Sequence, residues 1–197
     1  EYASRKQSPS IEIQLGGEIN YSHKNCSLIV ASPGISASSP LAKFAKSSGL
    51  PVISEIEFAA QISKKPLIAI TGTNGKTTTT ELTAHILNSI GLRASASGNT
   101  GFSLSEAVLN ENLFDCHIVE LSSFQLEKSP RLQPAAAALL NISSDHIDRY
   151  ASLSDYETAK FEIFRNMKTE NSIINLSLLK KYKTYRAAQK KPLIFSI

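Results

Sequence analysis

The chain has 197 residues, 42% of them apolar and 19% charged, with a net charge of +4. That balance suits a globular protein with one full domain and part of another, and it excludes a disordered or fibrous chain. No apolar run is long enough to cross a bilayer, and the first thirty residues lack a basic segment followed by an apolar one, so a cytoplasmic protein without a membrane span is expected. The two cysteines, Cys26 and Cys116, are far apart and sit beside apolar residues, which favours reduced thiols packed as small hydrophobes. Lys180, Lys181, Lys183, Arg186, Lys190 and Lys191 crowd the end of the chain. Without an interleaved glycine-aromatic pattern or a helix-turn-helix, they read as a solvated basic surface and not as a nucleic-acid site. The single methionine is Met167 and the chain opens at Glu1, which reads as a piece of a longer protein.

In chain order, Ile11 to Leu15 alternates like a short strand before Gly16-Gly17. A clearer strand, Leu28 to Ala31, ends in Ser32-Pro33-Gly34. A helix follows around Pro40 to Ser48, then a strand at Pro51 to Ile53, and then a helix from about Ser54 to Ile62 with Ser54 as its cap and Glu57 three residues on. Lys64-Lys65-Pro66 breaks that helix and reads as a linker. The strand Ile68 to Ile70 runs into Thr71-Gly72-Thr73-Asn74-Gly75-Lys76-Thr77-Thr78, and a helix extends from Thr77 to about Ile90, stopping at Gly91. A strand near Leu92 to Ser95, a loop Ser97 to Gly101, a helix around Ser103 to Asn110, a strand His117 to Leu121 and a buried strand Ala135 to Ile142 complete the pattern. Such alternation predicts an α/β fold with a doubly wound parallel sheet, divided at 1–65 and 66–197, with no internal repeat.

The glycine loop is the strongest chemical signal. Backbone N–H groups of such a turn point at phosphate oxygens, Lys76 adds a mobile positive charge, Thr77 offers a hydroxyl to Mg²⁺, and the next helix presents its positive end. Ile70 stands where the general pattern has its first glycine, so the loop is a shortened variant in which Gly72 and Gly75 make the turn. In a parallel sheet, ligands gather at the carboxyl ends of the strands. Glu120 ends one strand between apolar neighbours, where its charge needs a partner such as a metal ion. His146 leaves another strand with Asp145 and Asp148, and on spacing alone both a metal or substrate role and a plain polar contact stay open. A serine hydrolase built on Ser122 or Ser123 is discounted, because neither lies in a Gly-x-Ser-x-Gly elbow.

Between Ser154 and Met167 the positions Tyr156, Ala159, Ile163, Phe164 and Met167 form one apolar helical stripe, with Thr158, Glu162, Arg165 and Asn166 away from it. Lys160 falls in the middle of the stripe. It either snorkels to the surface or turns inward with a depressed pKa, and an inward neutral amine can take up CO₂ as a carbamate that binds Mg²⁺.

Four runs together, Thr71 to Thr77, Gly98 to Gly101, Glu120-Leu121-Ser122-Ser123-Phe124-Gln125-Leu126-Glu127, and Asn141 to Tyr150, resemble the Mur ligases of peptidoglycan synthesis. The Glu120 to Glu127 run points to the branch that adds D-glutamate to UDP-N-acetylmuramoyl-L-alanine. The loop alone would also fit other Mur ligases and, less well, folylpolyglutamate synthase. The likeness covers about Leu28 to the early 170s and weakens after Met167, where Asn175-Leu176-Ser177 replaces acidic residues.

The resemblance implies a UDP-sugar-binding domain, a central ATP-binding domain and a C-terminal domain, of which this chain holds part of the first and part of the second. It implies that Gly72, Thr73, Asn74, Gly75, Lys76, Thr77 and Thr78 hold ATP, and that Thr77 and Glu120 bind one Mg²⁺. A second would sit on His146 and carbamylated Lys160. Asn99, Thr100 and Ser122 would face the muramoyl substrate, and Ser32 and Gly34 the UDP end. The implied enzyme is a monomeric ligase acting through an acyl phosphate, with Lys76, Glu120, His146 and Lys160 as its catalytic set; a truncated nucleotide-binding module without catalysis is the alternative from another class.

Overall fold

A computed structural model describes residues 26–32, 34–35, 38–143, 150–167, 171–185 and 192–196. The predicted strand at 11–15 and the site candidate His146 lie outside the described residues. The described residues form two parallel sheets. β1 (Ile29–Ala31) pairs with β2 (Val52–Ser54), and the larger sheet has the order β4-β5-β3-β6-β7-β8. Its strands are β3 (Leu67–Thr71), β4 (Ala94–Gly98), β5 (Cys116–Glu120), β6 (Ala136–Leu139), β7 (Ser172–Asn175) and β8 (Leu193–Phe195).

The helices are α1 (Pro40–Ser48), α2 (Glu55–Ile62), α3 (Lys76–Ser89), α4 (Leu104–Leu109), α5 (Ser123–Glu127), α6 (Leu153–Phe161) and α7 (Leu179–Tyr185). The period-2 alternation of β3 separates the two faces of the sheet. Leu67 and Ala69 join a core with Ile56 of α2, Leu104 of α4, Leu126 of α5 and Phe161 of α6, while Ile70 joins Ile118, Ala138 and Ala84 of α3 on the other face. At β3 helices thereby lie on both faces of the sheet, the arrangement parallel strands favour.

Ser54 caps α2 by accepting the Glu57 N–H at 3.0 Å, but no reciprocal capping box forms. The Ser54 N–H instead donates to Lys128 O, and the fully buried Glu57 carboxylate accepts from Arg131 N at 2.9 Å and from Gln61 Nε2 at 3.1 Å. Ser54 Oγ and Ser129 Oγ share a 2.7 Å hydrogen bond, and Glu55 Oε1 accepts the Ser105 N–H at 2.6 Å. α2 is therefore docked on the larger sheet's helices by polar contacts that span the Lys64-Lys65-Pro66 break.

Three sequence expectations shift. The strand expected near Leu92 to Ser95 begins at Ala94 and runs to Gly98; just before it, the Asp115 carboxylate takes up both the backbone N–H and the guanidinium of Arg93, so that N–H is unavailable to a strand partner. α5 was not expected; Ser122 and Gln125 close a full capping box that starts this one-turn helix. Cys26 is exposed, so only Cys116 packs as a small hydrophobe. The strands and helix after Met167 carried no signal that was read from the sequence.

Candidate active site

β3 ends in Thr71, and the chain turns through Gly72 to Gly75 into the first residue of α3, Lys76. Gly75 has φ of 79°, a left-handed conformation that suits glycine at this N-cap. Gly72 is confined by packing, since a Cβ there would lie 3.0 Å from Leu140 Cβ. The first amides of α3 have no intrahelical partner and, with the helix dipole, form an anion-binding end. Lys76 Nζ folds back to donate to Thr73 O at 2.9 Å.

Glu120 closes β5, which pairs directly with β3, and only 2% of it is exposed. Its two oxygens are used separately: Oε2 accepts from Thr77 Oγ1 at 2.7 Å and Oε1 from Asn99 Nδ2 at 3.1 Å. Both donors are neutral. An all-oxygen pair such as Thr77 and Glu120 matches what Mg²⁺ prefers. Among the described residues no three His, Cys, Asp or Glu side chains converge.

Lys160 is turned inward. It is 2% exposed, its Nζ donates to Gly72 O at 2.8 Å, and it lies 4.7 Å from the centroid of the Tyr156 ring. Burial first, and then the nearby Lys76 charge, push its amine down from 10.5 to about 7. The stripe that carries it is buried at Tyr156, Ala159, Ile163, Phe164 and Met167, although α6 ends at Phe161 and tightens into a 3₁₀ turn from Glu162 to Phe164.

The structure thus brings Gly72, Thr73, Lys76, Thr77, Asn99, Glu120 and Lys160 to one end of the sheet. Thr78 and Thr100 are exposed beside this group. Ser122 is engaged in its own cap, its Oγ donating to Gln125 Oε1 at 3.0 Å. Ser32 and Gly34 stand in the turn after β1, in the smaller sheet, where Ser32 Oγ accepts the Gly34 N–H at 3.4 Å. Asn74 is exposed, and its peptide faces Asn141.

Three residues of the site were given no role from the sequence. Asn141 accepts the Asn74 N–H on Oδ1 at 2.8 Å and donates from Nδ2 to Asn74 O at 3.0 Å. Tyr156, read only as core, shares a 3.1 Å hydrogen bond with Thr73 Oγ1, which also accepts the Ser143 N–H at 3.0 Å. Gly98 has φ of 116°, and a Cβ there would lie 2.2 Å from Glu120 O, so only glycine lets β4 approach β5 at the carboxylate. For Asn141 the usable signal was a polar residue just after β6, the strand next to β3; for Tyr156 the hydroxyl inside an apolar stripe.

Comparison with known proteins gives four matches of bearing. The Mur ligase middle domain matches residues 70–196. A UDP-N-acetylmuramoylalanine--D-glutamate ligase of Geotalea daltonii is 42% identical over 177 residues, which is 89% of this chain and 39% of that protein. Among solved structures, the UDP-N-acetylmuramate:L-alanyl-gamma-D-glutamyl-meso-diaminopimelate ligase from Neisseria meningitides aligns with a TM-score of 0.60 at 18% identity, over 86% of this chain and 58% of that one. MurF from Thermotoga maritima in complex with ADP aligns at 0.54 and 18% identity, over 86% and 46%. These two show likeness of fold. The chain spans well under half the length of the Geotalea relative.

Proposed function

The chain belongs to the Mur ligase family through its middle domain, and from that premise we propose that it is the ATP-handling part of an ADP-forming ligase that joins D-glutamate to UDP-N-acetylmuramoyl-L-alanine. The observation that carries the reading is the contact of Thr77 with Glu120 at 2.7 Å, which sets a buried carboxylate against the phosphate loop. In this reading 1–65 belongs to the UDP-sugar domain, with Ser32 and Gly34 toward the nucleotide sugar, and 66–197 to the ATP domain.

The chemical problem is the repulsion between the substrate carboxylate and the γ-phosphate. Lys76 and the amides that open α3 supply positive potential on the phosphate side. Thr77 and Glu120 have the donor set to hold Mg²⁺, and Lys160 as a carbamate, together with His146, would supply ligands for a second; bound there, Mg²⁺ would neutralise the approaching anions. With charge balanced, the alanyl carboxylate attacks the γ-phosphorus to give an acyl phosphate and ADP. The amine of D-glutamate then attacks the acyl carbon, and phosphate departs. Asn99 and Thr100 would orient the muramoyl part of the substrate, with Ser122 as a further substrate contact; the Asn99 bond to Glu120 supports this reading. No residue named in this scheme comes from a second copy, and a monomeric ligase is part of the proposal.

The test is phosphate release by the full-length protein. It is expected only when ATP, UDP-N-acetylmuramoyl-L-alanine and D-glutamate are all present. Equal turnover with a folate acceptor, or ATP binding without turnover under any acceptor, would overturn the assignment.

A further inference from the structure

The phosphate loop is held from outside as well as from within. Its first half is tied to the chain that leaves β6. Leu140 N donates to Thr71 O at 2.9 Å and Thr73 N to Asn141 O at 3.0 Å. The Asn141 side chain then grips two successive peptides, accepting the Asn74 N–H and donating to the Asn74 C=O. Gly72 is packed against Leu140, but from Asn74 to Gly75 the loop borders a cavity of about 410 Å³ lined by Ile68, Ile70, Thr79, Leu140 and Ile173 among others, and there hydrogen bonds define where it lies. A planar amide that accepts from one peptide and donates to the next fixes the orientation of both, and the Gly75 N–H, which shares a plane with the Asn74 C=O, is thereby turned away from Asn141.

We infer that Asn141 is a positioning residue for the phosphate loop. It turns the Asn74 peptide toward β6, so that a triphosphate is read by the amides of Gly75, Lys76 and Thr77 and not by that of Asn74. The inference rests on the ATP-binding reading above and adds to it which amides do the work. Losing the clamp frees a peptide to rotate, and that entropy is then removed each time a phosphate binds.

The experiment measures binding of Mg²⁺-ATP and of Mg²⁺-tripolyphosphate to this chain, together with amide hydrogen exchange. Tripolyphosphate isolates the loop from any contact to the base. Asn141→Ala should weaken both ligands about tenfold, on the scale of one or two hydrogen bonds, and speed exchange at the Asn74 amide. Unchanged affinity within twofold, or a loss for ATP without one for tripolyphosphate, overturns the inference. In the unsubstituted chain, which does not depend on the variant folding, tripolyphosphate should shift the Gly75, Lys76 and Thr77 amides and leave Asn74 exchange unchanged. Slower exchange at Asn74 on binding overturns it. Lys76→Ala separates the two levels: if it keeps tripolyphosphate affinity, the phosphate-loop reading itself fails, whereas if it loses affinity and Asn141→Ala does not, only the role of Asn141 fails.

Discussion

Lys160 concentrates the chemistry of the site in one atom. An amine with an ordinary pKa of 10.5 is almost wholly protonated at neutral pH and is a poor nucleophile; at about 7, a large fraction is neutral. Only the neutral form adds to CO₂. Uptake of ¹³C-labelled CO₂ at Lys160, followed by NMR, should therefore rise with pH across the region near 7 and not near 10. In the full-length protein, Lys160→Ala should abolish turnover, and added formate or acetate should restore part of it by returning an oxygen ligand. Full activity of that variant would mean the buried amine is only a tether for Gly72 O.

At the scale of elements, the site depends on how closely strands may approach. β4 reaches Glu120 only because residue 98 has no Cβ and a positive φ. Gly98→Ala should cost about 2–4 kcal/mol in denaturant unfolding, through strain and backbone collision together. It should also pull Asn99 away from Glu120 Oε1, so Mg²⁺-ATP binding should weaken beyond what the stability loss explains. A variant as stable as the parent would show that the strands slide apart freely.

Much of this element pattern was legible in the sequence, for reasons that can be named. β3 and α3 announce themselves because an apolar run, a glycine turn and a long helix follow each other without interruption. α6 was readable because its buried positions recur at helical spacing, and that same spacing exposed Lys160 as an anomaly. What stayed hidden depends on partners distant in sequence. Glu57 looks like the second half of a capping box, yet its carboxylate serves Arg131, 74 positions away. Asn141 looks like an ordinary loop polar residue until β6 is laid beside β3. α5 is one turn long, too short for any periodicity to register.

Over the whole molecule, one buried group in the body of the sheet links stability to pH. His117 is fully buried on β5; its Nδ1 shares a 2.7 Å hydrogen bond with Ser95 Oγ, and its Nε2 has no partner among the described residues. Burial pushes its pKa below 6.5, against a smaller upward pull from Glu111 and with a smaller downward push from Lys65. The unfolded chain then binds the proton more readily than the folded one. Stability from this group is complete above about 6.5 and is lost as pH falls below that value toward the folded pKa. Unfolding free energy measured from pH 7.5 to 5 should decline by up to about 1.4 kcal/mol per pH unit from this residue, and His117→Asn should flatten that part of the slope. Equal slopes in both proteins would show that the imidazole keeps its ordinary affinity for a proton.

The tether between Lys160 and Gly72 joins positions 88 apart, and the Thr73–Tyr156 bond joins positions 83 apart. A nascent chain therefore presents its complete glycine loop to the cell's nucleotide pool long before the helix that finishes the pocket has been synthesised. Nucleotide arriving early finds a motif without a scaffold, because such distant closures come late and slowly. Its stabilising effect falls on the finished state, lengthening the lifetime of the native protein while leaving the speed of its assembly untouched.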